Sequence, residues 1–343
     1  MRYNNILEAI GNTPLIRLNK ITQGIRGTVY AKMEAMNPGL SAKDRIAIHM
    51  IDKAEKEGRL LPGGTIIEAT SGNTGFSIAM ISAIRGYRCM LTVTSKISQE
   101  KINLLKAMGA RVILCPKSVQ PDDPRSYYQR AIQLANDTPN SLYLNQNFNS
   151  DNVEAHYMST GPEIWKQTEG KITHLLCSTG TGGTLSGTAK YLKEQNPDIQ
   201  VVAIDAYGSV LKKYFETGIN DPNEVYPYLI EGTGKNIIPD NVRFEYIDRY
   251  VKVTDKNSAF KARRLAKQEG LLVGYSSGAV MQGLFEIRRD LKNDDLAVLI
   301  FADHGSRYLG KIFNDEWMEE QGFLYGSSNY KYMLRWRKFL RSI

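Results

Sequence analysis

Residues 65–86 read TIIEATSGNTGFSIAMISAIRG. The first six, Glu68 apart, are apolar or β-branched and strand-sized. The next five are small and polar, and from Phe76 onward apolar residues return at helical spacing. Strand, turn and helix in that order are half of a parallel βαβ unit. The pattern recurs: 88–94 (RCMLTVT) precedes SQEKINLLKAMGA and 111–115 (RVILC), and a helical stretch around 127–135 precedes 141–146 (SLYLNQ). HLLCSTG then leads into TLSGTAKYLKEQ and QVVAIDA, and 250–254, NSAFKARRLAKQEG, 271–276 and 297–302 continue the series. The expected fold is α/β: two domains with twisted, mostly parallel sheets flanked by helices on both faces.

Length and composition agree. The 343 residues suffice for about two domains, and 42% hydrophobic with 23% charged residues is an ordinary globular balance. The longest apolar runs, 78–84 and 297–302, are too short for a bilayer, and MRYNNILEAIGN lacks the pattern of a secretory signal. Cys89, Cys115 and Cys177 are odd in number and widely spaced, and His49, His156, His174 and His304 show no ligand spacing. A cytoplasmic protein without a metal site is expected. Lysine and arginine number 44 against 36 acids, a net +8. Five of those charges (Lys331, Arg335, Arg337, Lys338, Arg341) fall in residues 327–343, with Met333, Trp336, Leu340 and Ile343 at helical spacing. Such a basic amphipathic tail lies on a membrane or docks on its own protein. The rest of the chain is only mildly basic, so neither nucleic acid nor a membrane is the expected partner.

In parallel sheets, ligands bind where strand C-termini meet helix N-termini. The turns 70–75 (TSGNTG), 180–184 (GTGGT) and 275–279 (YSSGA) are dense in small residues, and 231–234 (EGTG) sits in an irregular stretch. Gly180, Thr181, Gly182, Gly183 and Thr184 open a helix, where successive backbone N–H groups form a nest for an anion. The spacing is neither a Walker loop nor Gly-x-Gly-x-x-Gly, and a plain tight turn explains it as well. TSGNTG offers hydroxyls and an amide to a carboxylate at a positive helix end; N-capping by Ser71 or Asn73 accounts for the same residues. Lys43, in 37–45 (NPGLSAKDR), enters a helix beside Arg45. It is either a nucleophile with a lowered pKa or a solvated lysine.

NPGLSAKDR, TSGNTG, STGTGGT and GYSSG, in this order, resemble the pyridoxal-phosphate fold-type II β-replacement family, which includes cystathionine β-synthase and cysteine synthase. The resemblance runs from about residue 5 to 323 and includes GNTPLIRL. ISAIRGYRCML, NVEAHY and DEWMEEQGF lean toward the catalytic core of cystathionine β-synthase. It implies a tryptophan synthase β-like fold, with a larger cofactor-binding domain (1–39 plus 146–326), a smaller mobile domain (40–145) and a tail (327–343). Lys43 would carry pyridoxal 5'-phosphate. Gly180, Thr181, Gly182, Gly183 and Thr184 would cradle its phosphate, Asn73 its 3'-oxygen, and Ser276 its ring nitrogen. Thr70, Ser71, Asn73, Thr74, Gln146 and Gly232 would bind the substrate. The implied reaction is β-replacement on serine or an activated serine by a thiol, with Lys43 as general base. Cystathionine synthesis from L-serine and L-homocysteine comes first, and cysteine synthesis from O-acetylserine or O-phosphoserine with sulfide is the alternative. A diaminopropionate-type synthase and a non-catalytic cofactor-binding partner stand behind these. A homodimer is implied, and neither haem nor paired regulatory modules are expected.

Four residues depart from the family pattern. Leu40 and Tyr275 stand where glycines are usual, Asn147 where an aromatic is common, and Lys235 where well-known cystathionine β-synthases have tyrosine. All four are expected near the pocket. Lys235 either meets a carboxylate on an incoming amino-acid thiol or is a solvated loop lysine.

Overall fold

The computed structural model describes residues 2–324 other than Ser71, Lys96 and Pro121; the tail 327–343 lies outside the described residues. The chain begins with β1 (Leu15–Arg17), β2 (Thr28–Met33) and α1 (Lys43–Lys56). It continues through β3 (Thr65–Ala69), α2 (Asn73–Arg85), β4 (Arg88–Thr94), α3 (Gln99–Ala107), β5 (Arg111–Cys115), α4 (Tyr127–Asp137) and β6 (Ser141–Tyr143). The pair α5 (Asp151–Met158) and α6 (Thr160–Gln167) precedes β7 (His174–Ser178), α7 (Gly183–Gln195), β8 (Gln200–Ala206), α8 (Leu211–Thr217) and β9 (Arg249–Val253). Then come α9 (Asp255–Glu269), α10 (Tyr275–Ile287), β10 (Leu296–Phe301) and α11 (Asp315–Glu320).

Two sheets result. One has the order β1-β2-β10-β7-β8-β9 and is parallel except for the edge pair β1–β2; the other, β5-β4-β3-β6, is parallel throughout. The strands look continuously apolar because alternate residues feed different cores. In the larger sheet Leu176, Leu299 and Phe301 face the core built with α9 and α10, while Leu175, Cys177, Val298 and Ile300 face the one built with α6 and α7. In the smaller sheet Ile66 packs with α1 and α2, and its neighbour Ile67 with α4.

Residues 271–276 do not form the expected strand. An isolated bridge from Val273 to His304 is their contact of that kind, and α10 already begins at Tyr275. That helix is buried from Tyr275 through Leu284, so its composition matches that of a two-sided strand. Conversely β1 and β2 were not among the expected strands; three residues of β1 are too few to show a period. No helix among the described residues is long and apolar enough to cross a membrane.

Where β2 hands over to α1 the core is ionic. Arg45 forks onto Glu34, with Nε 2.6 Å from Oε2 and Nη2 2.8 Å from Oε1, and its Nη1 reaches Glu163 on α6 at 2.7 Å. Lys32 on β2 donates to Glu163 Oε2 at 2.6 Å and to the Thr13 carbonyl at 2.6 Å. Arg45, Lys32 and Glu34 are buried. Burial acts to raise the Glu34 carboxyl, but the Arg45 guanidinium and its hydrogen bonds outweigh this and hold it at about 2. A depressed carboxylate contributes stability above its unfolded value of 4.5 and loses it as the pH falls toward 2. Arg45→Met is therefore expected to cost about 3–5 kcal/mol, since it leaves Glu34 buried without its guanidinium partner and Glu163 with Lys32 as its remaining cation. Denaturant melts at pH 7 and pH 3 check both statements: the gap between wild type and variant should be wide at the first and narrower at the second.

Candidate active site

The C-terminal ends of β3 and β7, the loops before α2 and α7, and the starts of α1 and α10 open on one cavity of about 400 Å³ between the two sheets. Lys43, Thr70, Asn73, Thr74, Gln146, Gly180, Thr181, Gly182, Thr184, Gly232 and Ser276 line it. Gly183 sits just behind, as the first residue of α7, and Ser71 lies outside the described residues. Residues far apart in the chain are thus brought to one place.

Lys43 is the first residue of α1. Its Nζ has neither a carboxylate partner nor a hydrogen-bond acceptor among the described residues, which is unusual for a lysine drawn into a protein. Burial lowers its pKa below the ordinary lysine range, while the carboxylate of Asp303 pulls the other way. Asp303 is itself raised by burial; its Oδ2 accepts from Asn73 Nδ2 at 2.8 Å and from Tyr308 Oη at 2.7 Å, and its Oδ1 is buried without a partner. Below Lys43 the Cys177 thiol is pushed up to about 12 by burial, so it is a neutral wall of the cavity.

Facing the lysine is the turn from β7 into α7. Ser186 N donates to the Gly182 carbonyl at 2.9 Å; the six N–H groups before it, from Gly180 to Leu185, have no acceptor among the described residues. The glycines are required there. Gly182 has φ +95°, a Cβ on Gly180 would lie 2.6 Å from the Gly232 carbonyl oxygen, and one on Gly183 would lie 1.8 Å from Asn152 Oδ1. Thr184 Oγ1 is 3.0 Å from His156 Nε2, and the Nδ1 of that ring is 2.8 Å from Thr160 Oγ1. Burial lowers His156 to about 3, so a neutral imidazole props the turn.

Asn152 and Asn241 were missed in the sequence; each donates its amide to the Gln146 carbonyl, at 2.7 and 2.9 Å, and Asn152 also reaches Thr181 Oγ1 at 3.1 Å. Asn152 and His156, one turn apart on α5 and both buried, were detectable as a polar pair on an inward helix face. Gln146 Oε1 in turn accepts from Thr74 Oγ1 at 2.6 Å. Asn73 is engaged on both sides, donating to Asp303 and accepting from Arg307. Ser276 is buried and reaches the cavity from the first turn of α10.

The four departing residues separate. Asn147 and Lys235 line the cavity; Leu40 and Tyr275 do not. Leu40 adopts φ +61°, a conformation glycine takes without strain. Tyr275 is fully buried in the larger sheet's core, with its hydroxyl donating to the Asp255 carbonyl at 2.9 Å.

A family model described as pyridoxal-phosphate dependent enzyme matches residues 6–303. The chain is 45% identical to a cystathionine β-synthase of Apis mellifera over 322 residues, covering 93% of this chain and 63% of that one. To a cysteine synthase of Staphylococcus aureus it is 39% identical over 308 residues, 89% of this chain and 95% of that one. It thus spans less than two thirds of the length of the bee relative. Among solved structures, that of a hydrogen sulfide-producing enzyme from Fusobacterium nucleatum superposes with a TM-score of 0.82 at 34% identity, covering 90% of this chain and all of that one.

A lysine with a lowered pKa holds more neutral amine near neutral pH than a solvated one. In the ligand-free protein, acylation by acetic anhydride followed across pH by mass spectrometry is expected to half-label Lys43 at a lower pH than Lys53 and Lys171, which carboxylate partners push up. Coincident profiles would contradict the burial argument.

Proposed function

The chain belongs to the pyridoxal-phosphate dependent enzyme family, and on that premise we propose that it catalyses β-replacement on serine, joining L-serine to the thiol of L-homocysteine to give cystathionine. One observation carries the reading: at one cavity a lysine and six consecutive backbone N–H groups come together, none of them with a partner among the described residues. An aldehyde that also bears a phosphate matches both halves. Lys43 would hold the aldehyde carbon, Gly180, Thr181, Gly182, Gly183 and Thr184 the phosphate, Ser276 the ring nitrogen and Asn73 the 3'-oxygen. Bound there, pyridoxal phosphate supplies an electron sink conjugated to the substrate's amine.

The chain's own groups supply the rest. Thr70 and Thr74, with Ser71 between them in sequence, bind the substrate carboxylate at the start of α2, and Gln146 orients Thr74 through their 2.6 Å bond. Gly232, at φ +79° beside Ser276, leaves room for the substrate. Lys43, as neutral amine, takes the Cα proton and as ammonium returns a proton to the departing hydroxyl. Asp303 opposes the effect of burial and so keeps the ammonium form of Lys43 within reach. In balance, the Cβ–O bond breaks, the proton taken from Cα leaves with the hydroxyl as water, a Cβ–S bond forms, and the thiol proton replaces the one lost from Cα. Ser276 would meet the ring nitrogen with a neutral hydroxyl rather than a carboxylate, which would temper the electron sink and favour loss of the β-substituent.

The reading includes a smaller lobe of residues 40–145 closing on the larger one, and a cytoplasmic homodimer with neither haem nor nucleic acid. A second reading, cysteine synthesis from O-acetylserine or O-phosphoserine and sulfide, is favoured by the match along 95% of the staphylococcal cysteine synthase. Serine, O-acetylserine and O-phosphoserine assayed in turn with homocysteine and with hydrosulfide separate the two. The serine–homocysteine pair is expected to give the highest kcat/KM, and no turnover with any pair would refute both. Lys43→Ala is expected to lower turnover by about 10³-fold or more, together with loss of the yellow colour of the purified protein.

A further inference from the structure

Beyond the cofactor turn, the cavity wall carries a second cation. Lys235 lines it with Asn147, Tyr127 and Tyr128, and its Nζ donates to Asn147 Oδ1 at 3.1 Å. Its backbone is fixed: Lys235 N donates to Ser209 Oγ at 3.0 Å, its carbonyl accepts from Val210 N at 3.0 Å, and Gly234 N before it donates to Thr179 O at 2.7 Å. This is not a solvated loop lysine. Among the described residues no carboxylate pairs with it, whereas Lys101, on the same wall, is 2.8 Å from Glu231. An ammonium has three donors, and Lys235 uses one of them on a neutral amide.

The acid that acts on Lys235 is Glu68. Its oxygens accept from Ala69 N at 2.9 Å and Gln146 N at 3.3 Å, and burial raises it to about 8, so it is largely uncharged near neutral pH. Burial, then the charge of Lys43, lowers Lys235 itself to about 8, with Glu68 acting in the opposite direction. A desolvated cation with two idle donors, aimed into a substrate cavity, is a receptor for an anion.

We propose that Lys235, positioned by Asn147, recognises the carboxylate of the attacking thiol, so that the site selects an amino-acid thiol over hydrosulfide. The assignment rests on the β-replacement reading and names the residue that sets its second substrate.

The test uses holoenzyme, wild type and the variants Lys235→Met and Lys235→Arg. With saturating serine, Lys235→Met is expected to raise KM about 10- to 100-fold for homocysteine and 4-mercaptobutyrate, the range of a lost charge-assisted hydrogen bond. The kcat for these thiols, and KM for hydrosulfide and 2-mercaptoethanol, should move far less, and Lys235→Arg should recover part of the loss. Calorimetric titration with 4-mercaptobutyrate, which has no amine, should show binding to wild type and at least tenfold weaker binding to Lys235→Met. Equal losses for all four thiols, no loss for the two carboxylates, or an effect that follows the phosphate of O-phosphoserine would each overturn the assignment. Wild-type protein inert toward every thiol would refute the β-replacement reading, and the calorimetry would then decide the Lys235 carboxylate site alone.

Discussion

The fork of Arg45 between Glu34 and Glu163 is the constraint on which the site depends. Three consecutive residues at the start of α1 divide the labour. Lys43 is left without a partner, Asp44 is clamped between Gly39 N and Ser77 Oγ, both at 2.5 Å, and Arg45 is locked to the larger sheet. The same helix packs Ile46, Ala47 and Met50 into the smaller sheet's core. One helix start therefore belongs to both halves of the molecule, and the reactive amine sits on the residue where they meet. Buried ion pairs are poor sources of net stability but strict about geometry, because any alternative register leaves charges unpaired. A lysine free of partners holds its place only if its neighbours are tied this firmly.

Around that amine the protein builds a positive field from local parts. Two lysines with lowered pKa values, a helix terminus and a row of N–H groups without acceptors among the described residues converge on one cavity; of the acids nearby, Glu68 and Asp303 are raised by burial, and Glu231 is engaged by Lys101 and Lys311. Water would screen these groups on a surface; in a closed wall they act at low dielectric. Each is held in place by neutral partners, His156 beneath Thr184 and Asn147 beside Lys235. Neutral scaffolding supports the charge without cancelling it.

Much of this was legible in the chain, for a physical reason. Parallel strands buried on both faces must be continuously apolar, and the helices between them must be amphipathic, so β3 to β10 stood out by composition alone. The ligand turns stood out because close backbone approach demands small residues. What escaped depends on partners distant in sequence: Arg45 with Glu163, Asn241 with Gln146, Asp303 with Asn73. Residues 271–276 escaped because a helix buried on all sides and a two-sided strand share one composition. Leu40 and Tyr275, expected near the pocket or its entrance, do not line the cavity; Leu40 has a positive φ and Tyr275 a core contact.

The net +8 illustrates the same division between composition and arrangement. Five of those charges lie in residues 327–343, and the remaining surplus is spread over a chain nearly as acidic as it is basic. The anion-binding character of the cavity owes nothing to that balance. It comes from two lysines without a carboxylate partner among the described residues, Lys43 at the start of α1 and Lys235 beside Asn147. Lys101 and Lys311 show the contrast: both have a carboxylate partner, Glu231. A cation acts on a ligand when its neighbours leave it unpaired, and pairing is set by the fold.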